Sequence, residues 1–118
     1  MRLSEVTYPE GHPVEGYGPG FFRVGGAVIR GGLLILPAGP RVWAGYDEVA
    51  PILDAAGAVD VLLVGTGSEI AYLPDGWRAR LETAGIGVEM MASPAACRSY
   101  NVLLGEGRRV ALAALAVA

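Results

Sequence analysis

Val61-Leu62-Leu63-Val64-Gly65-Thr66-Gly67 decides the fold. Four aliphatic residues in a row, without polar alternation, read as a strand buried on both faces, as in a helix-covered parallel sheet. Gly65-Thr66-Gly67 ends it. Upstream, Asp47 to Ala56 reads as a helix, with Asp47 able to cap the first turn and Gly57 to stop it. Downstream, Pro74 to Ala84 reads as a second helix closed by Gly85, and Val88 to Met91 as a strand. A third helix starts at Ser93-Pro94, with Ser93 as N-cap and Pro94 in the first helical position. It runs to about Glu106 and stops at Gly107. Val110 to Val117 is small and apolar on both faces, so it reads as a last buried strand. Strands alternating with helices predict a mixed sheet covered by helices.

The first 45 residues read differently. Val14–Tyr17, Phe21–Val24, Ala27–Ile29 and Leu33–Leu36 are short apolar or alternating runs. Gly18-Pro19-Gly20, Gly25-Gly26 and Gly31-Gly32 separate them. Paired glycines reach positive φ at turns, so this is a meander of hairpins. Pro37 to Pro40 reads as a loop, and Val42 to Ala44 as one more short strand. The fold class expected is α/β, with a small amino-terminal β layer beside the mixed sheet.

The chain has 118 residues, enough for one domain, 1–118, with a core of its own. It is 53 % hydrophobic and 18 % charged, which excludes a disordered chain. The net charge is −3 and the nine basic residues, all Arg, are scattered, so no nucleic-acid stripe is present. The absence of Lys and Gln beside 18 Gly reads as the codon bias of a GC-rich, bacterial genome. The first residues, MRLSEVTYPEGHP, lack a signal-peptide core, and the longest apolar run is too short for a transmembrane helix. A cytoplasmic chain is expected. So many apolar residues on a small surface predict an exposed patch, hence a homodimer or a protein partner.

Candidate chemistry is sparse. One Cys and one His cannot build a metal site, so no metal and no cofactor are expected. His12 lies in a distant loop, and Cys97 reads as a small buried hydrophobe despite its place near a helix amino end. Twelve carboxylates form no recognisable pair. Gly65-Thr66-Gly67 lacks the third glycine of a dinucleotide fingerprint, and a Walker loop needs the absent Lys. The third helix is more informative. At about 100° per residue, Cys97, Asn101, Gly105 and Arg98 share one arc, while Ala96, Tyr100 and Leu103 form the core face. Strand carboxyl ends and helix amino ends meet on one side of such a sheet. Gly65, Thr66, Gly67, Arg98 and Asn101 are therefore the expected site, for a small anionic ligand or a partner's carboxylate. A structural Arg–Asn pair or a solvated face is the alternative.

The motifs taken in order resemble the Mth-domain family. They are Tyr17-Gly18-Pro19-Gly20-Phe21, Leu34-Ile35-Leu36-Pro37 before Trp43, and Asp60 through Gly67. Gly85-Ile86, Val88-Glu89-Met90, Ala95-Ala96, Tyr100-Asn101, Leu103 and Glu106 through Val110 complete them. The resemblance spans about residues 14–117. One departure is Cys97-Arg98-Ser99, where many relatives carry a Thr just before the Tyr; Ser99 keeps a hydroxyl. The resemblance implies a three-layer β+α/β/α fold with a five-stranded mixed sheet containing one antiparallel strand. It brings no settled enzymatic activity. Its mitochondrial members imply a helper in assembling respiratory complex I, so a non-enzymatic interaction protein is expected ahead of an anion binder or enzyme.

Overall fold

A computed structural model describes residues 11–118; the reading of the first ten residues as free of a signal peptide lies outside them. Strands β1 (Val14–Gly18), β2 (Phe21–Val24) and β3 (Ala27–Arg30) form an antiparallel meander. Gly25 and Gly26, at φ +59° and +80°, make the two-residue turn between β2 and β3. The Glu15 carboxylate accepts the Gly26 N–H at 2.7 Å and closes the same turn.

The main sheet contains β4 (Gly32–Leu36), β5 (Gly39–Trp43), β6 (Val61–Gly65), β7 (Gly87–Met91) and β8 (Val110–Ala114) in the order β5-β4-β8-β6-β7. β6 runs parallel to both β7 and β8, while β4 runs antiparallel to β5 and β8. β4 is thus the one reversed strand. β6 and β8 lie inside the sheet, which is why both read as unbroken apolar runs. The expected α/β architecture, a five-stranded mixed sheet with a small β layer, is the architecture found.

Helices α1 (Ala50–Asp54) and α2 (Trp77–Thr83) belong to one face of this sheet, and α3 (Ser93–Gly105) to the other. On the first face Leu34, Leu62, Val64, Val88, Ala111 and Ala113 meet Ile52 and Leu81. The two alanines leave room for rings: Trp43 and Trp77 each contact Tyr46 edge-on, at centroid distances of 5.5 and 5.2 Å. Their indole N–H groups donate to Glu48 O and Tyr46 O. On the second face Leu33, Ile35, Leu63 and Leu112 meet Ala96, Cys97 and Tyr100 of α3 together with Val14, Phe22 and Val24 of the small sheet. Each of the leucine, isoleucine, valine and phenylalanine side chains among them stabilises the fold by about 1.5–3 kcal/mol when fully buried.

Several boundaries differ from expectation. Asp47 caps nothing; α1 starts after Val49, and Gly57 falls inside a short 3-10 turn, Ala56–Ala58. α2 starts at Trp77, because Gly76 at φ +78° breaks the run from Pro74. Pro40 lies within β5, which tolerates it as an edge strand. β8 stops at Ala114, and Ser93 is the first residue of α3, Ala92 taking the N-cap position.

Candidate functional site

The turn after β6 is stitched into the fold by short side chains. Ser93 is wholly buried; its Oγ accepts the Gly67 N–H at 2.9 Å and donates to Leu115 O at 2.6 Å. The Ser93 N–H donates to Gly67 O at 2.7 Å. One serine therefore ties the end of β6 to the start of α3 and the end of β8. Gly65 faces this serine: a Cβ there would stand 2.6 Å from Ser93 Oγ and 3.0 Å from Ala114 Cβ. Gly67 sits at φ +105°, which suits glycine.

Thr66 locks the following loop. Its N–H donates to Met91 O at 2.9 Å. Its hydroxyl accepts the Ala71 N–H at 3.0 Å and donates to Glu69 O at 2.8 Å, with Met91 O at 3.3 Å as the other acceptor. The Ser68 hydroxyl accepts the Ala118 N–H at 2.8 Å. Yet the loop so fixed holds Ile70 63 % exposed and Tyr72 94 % exposed. With Ala71 and Met90 these two line a groove of about 450 Å3.

The predicted arc on α3 separates into different environments. Asn101 Oδ1 accepts the Val14 N–H and its Nδ2 donates to Val14 O, both at 2.8 Å, so this amide binds β1 as another strand would. At 1.5 Å per residue it stands about 12 Å along α3 from Ser93 and the glycine turn. Cys97 is buried in the core. Arg98 is exposed, and no hydrogen bond or ion pair engages it among the described residues. The groove beside Met90 and a cavity of about 270 Å3 near Tyr100, Leu104, Arg108 and Val110 include none of Gly65, Thr66, Gly67, Arg98 and Asn101. Arg98→Ala is accordingly expected to change stability by less than about 0.5 kcal/mol, as exposed substitutions do. A denaturant melt shifted well beyond that would reveal a structural partner.

Burial pushes the Cys97 thiol up to about 11, with Arg98 pulling weakly the other way. The thiolate is the reactive form, so at pH 8 Cys97 should react with a disulfide reagent only as fast as the protein unfolds. Rapid labelling of the folded protein would contradict this. Above pH 9 the unfolded thiol ionises first, so this group's contribution to stability falls as pH rises toward 11.

At the other end of the sheet Arg109 forms a two-pronged pair with Asp60, at 2.7 and 3.2 Å, and donates to Gly57 O. That guanidinium holds the Asp60 carboxyl below the usual carboxylate range. The pair is exposed and pins the starts of β6 and β8 side by side. The Ile70–Tyr72 groove leaves little mark on the sequence. Its only sequence signal is apolar residues in Glu69-Ile70-Ala71-Tyr72-Leu73-Pro74, a stretch that reads as a spacer before the second helix.

Known proteins match this chain along nearly its whole length. An uncharacterized protein of Rhodobacter capsulatus is 52 % identical over 98 % of this chain and 93 % of its own. NADH dehydrogenase [ubiquinone] 1 alpha subcomplex assembly factor 3 of Danio rerio is 28 % identical over 98 % of this chain and 70 % of its own. Among solved structures, an outer membrane protein from Bartonella henselae superposes with a TM-score of 0.85 at 33 % identity. It covers 95 % of this chain and 100 % of that one. A Bordetella pertussis protein, described as a Mth938-like domain, gives a TM-score of 0.76 at 30 % identity over 98 % of this chain and 92 % of that one. These likenesses agree with the Mth-domain resemblance carried by the motifs. No helix among the described residues is long and apolar enough to cross a membrane. Residues 14–115 match the family described as protein of unknown function (DUF498/DUF598), and the chain belongs to that family.

Proposed function

We propose that this chain is a non-enzymatic interaction protein that helps assemble a respiratory NADH dehydrogenase. The observation that carries the reading is the loop at 66–72. Tyr72 is 94 % exposed and Ile70 63 % exposed on a loop fixed by the Thr66 hydroxyl. Large apolar groups on a main chain that is already tied down lose less entropy when a partner covers them than groups on a free loop, and aromatic anchors dominate interface energetics. The similarity to the Danio rerio assembly factor supplies the class of partner.

The other reading places a small anionic ligand on Gly65, Thr66, Gly67, Arg98 and Asn101. Thr66 and Asn101 spend their side-chain hydrogen bonds inside the fold. That leaves Arg98 alone as a side-chain donor, and for this reason we favour the interaction reading. Deleting the gene in its native host should lower NADH dehydrogenase activity of the membrane fraction and deplete the assembled complex on native gels. Restoring the gene should reverse both. Unchanged complex and activity in the deletion strain would remove the assembly role.

A further inference from the structure

β7 is the outer strand of the main sheet, and β6 is its one sheet neighbour among the described residues. In a parallel pair, alternate residues turn both main-chain groups toward the neighbour. The Gly87 N–H donates to Asp60 O, and Met91 O accepts the Thr66 N–H, each at 2.9 Å. Gly87, Glu89 and Met91 therefore face β6, and Val88 and Met90 face outward. The Val88 carbonyl is taken by Arg78 Nη2 at 2.6 Å. The Val88 N–H and both main-chain groups of Met90 have no partner among the described residues. Such an edge is a template for another strand unless it is blunted. Arg78 guards it at Val88, and nothing described guards it at Met90.

Met90 lines the groove of about 450 Å3 together with Ile70, Ala71 and Tyr72. Unpaired main-chain groups and an apolar depression thus share one strip. Side chains alternate across a strand, so Val88 and Met90 share the face that carries α2 and Arg78, and Glu89 points to the other face. From this arrangement we infer that the β7 edge receives an extended segment of a partner protein as a sixth strand. One apolar side chain of that segment enters the Ile70–Tyr72–Met90 groove. An acidic side chain lies toward Arg78 and a basic one opposite Glu89, since opposite charges across strands attract and like charges repel. The inference rests on the interaction reading and names its surface.

A second copy of this chain fits the edge poorly. Antiparallel pairing of two β7 strands about Glu89 sets that carboxylate against its own copy. It also makes each Met90 N–H depend on the other copy's Val88 carbonyl, which Arg78 holds, whereas a separate segment can pair through the Val88 N–H and Met90 alone. Moving the register to Met90 brings Val88 opposite Ala92, whose carbonyl already accepts the Ala96 N–H within α3.

The test uses the intact protein and a display library of short random peptides. Enriched peptides should combine an apolar residue with acidic and basic neighbours. Bound peptide should slow amide exchange at Val88 and Met90 by about tenfold or more, while Gly87 and Glu89, already paired, change little. Met90→Pro removes an outward N–H and leaves the ladder to β6 whole, a position where edge strands accept proline. It should weaken peptide binding by about tenfold or more. Tyr72→Ser alters an almost fully exposed side chain and should weaken it as well; it carries the test if Met90→Pro fails to fold. Several results overturn the inference: no enriched peptide, equal binding to the variants that fold, or unchanged exchange at Met90. A dimer seen by light scattering that Met90→Pro abolishes would give the edge to a second copy and also overturn it. If both variants still complement the deletion strain, the edge fails while the interaction reading stands. If deletion has no phenotype but peptides bind as described, only the assembly role is lost.

Discussion

Gly65→Val is expected to lower the free energy of unfolding by about 3–6 kcal/mol, a large part of what holds a domain of this size together. The cause is space. A Cβ at position 65 would stand 2.6 Å from Ser93 Oγ, 2.8 Å from Ser93 Cα and 3.0 Å from Ala114 Cβ. Two of those three atoms belong to the main chain or lie next to it in a central strand, so they cannot swing aside. Pushing Ser93 away also strands the Gly67 N–H and the Leu115 carbonyl, both bound to its hydroxyl in a buried place. Gly65→Ala should cost less, because it lacks the two further methyl groups. Adding Ser93→Ala to Gly65→Ala should cost less than the sum of the two, since the missing Oγ relieves the contact. Urea melts of the parent, the three single variants and the double variant check this. A Gly65→Val protein within about 1 kcal/mol of the parent would mean that β6 and α3 are not packed as closely as described.

Much of the fold is legible in the sequence because burial leaves its mark on residue type. Val61 to Val64 and Val110 to Ala114 are apolar without alternation, and both prove to be inner strands covered on two faces. Paired glycines mark the turns of the meander, where Gly25 and Gly26 do take positive φ. Boundaries are less legible where side chains have a better partner than the helix end. Glu48, just before α1, gives one carboxylate oxygen to the Ala44 N–H and the other to Arg41, so it closes a turn after β5. Ser93 looks like a cap by position, yet its hydroxyl reaches across to β6 and β8, because a buried main-chain N–H there needs an acceptor.

The candidate residues illustrate a limit of helical periodicity. A wheel places Cys97, Arg98 and Asn101 on one arc, but it does not say what lies against each part of that arc. The small sheet packs beside α3 and takes Asn101 for its first strand, the main sheet takes Cys97, and Arg98 is left facing water. None of these neighbours is close in sequence: Val14 and Asn101 are 87 residues apart. The strip formed by exposed Ile70 and Tyr72 and half-buried Met90 is illegible for a related reason. Its loop and its strand are separated by all of α2, and a lone apolar residue in a loop is an ordinary sight.

Asn101→Ala is expected to lower stability by about 2–4 kcal/mol, the loss of two hydrogen bonds from one partly buried amide that leaves both main-chain groups of Val14 unpaired. The loss should be local before it is global. Val14 starts β1, and the pairing of β1 with β2 is already interrupted between Val14 and Gly16. Without Asn101 this end has only packing and the Val14–Val24 pairing to hold it, so amide exchange should speed up most in β1 while β6 and β8 keep their protection. Asn101→Asp separates the two hydrogen bonds. The carboxylate can still accept the Val14 N–H, but it can no longer donate to the Val14 carbonyl and faces it with negative charge. Protonation restores a donor, so the new acid should have a raised pKa in the folded protein. Its favourable contribution is then present at low pH and is lost as pH rises through that value. Asn101→Asp should therefore approach the parent's stability in acid and resemble Asn101→Ala at neutral pH. Thermal melts across the pH range, with Arg98→Ala alongside as the exposed neighbour, read this out. Equal melting of Asn101→Ala and the parent would show that the amide does not hold the small sheet to α3, and would return Asn101 to the list of residues available for a ligand.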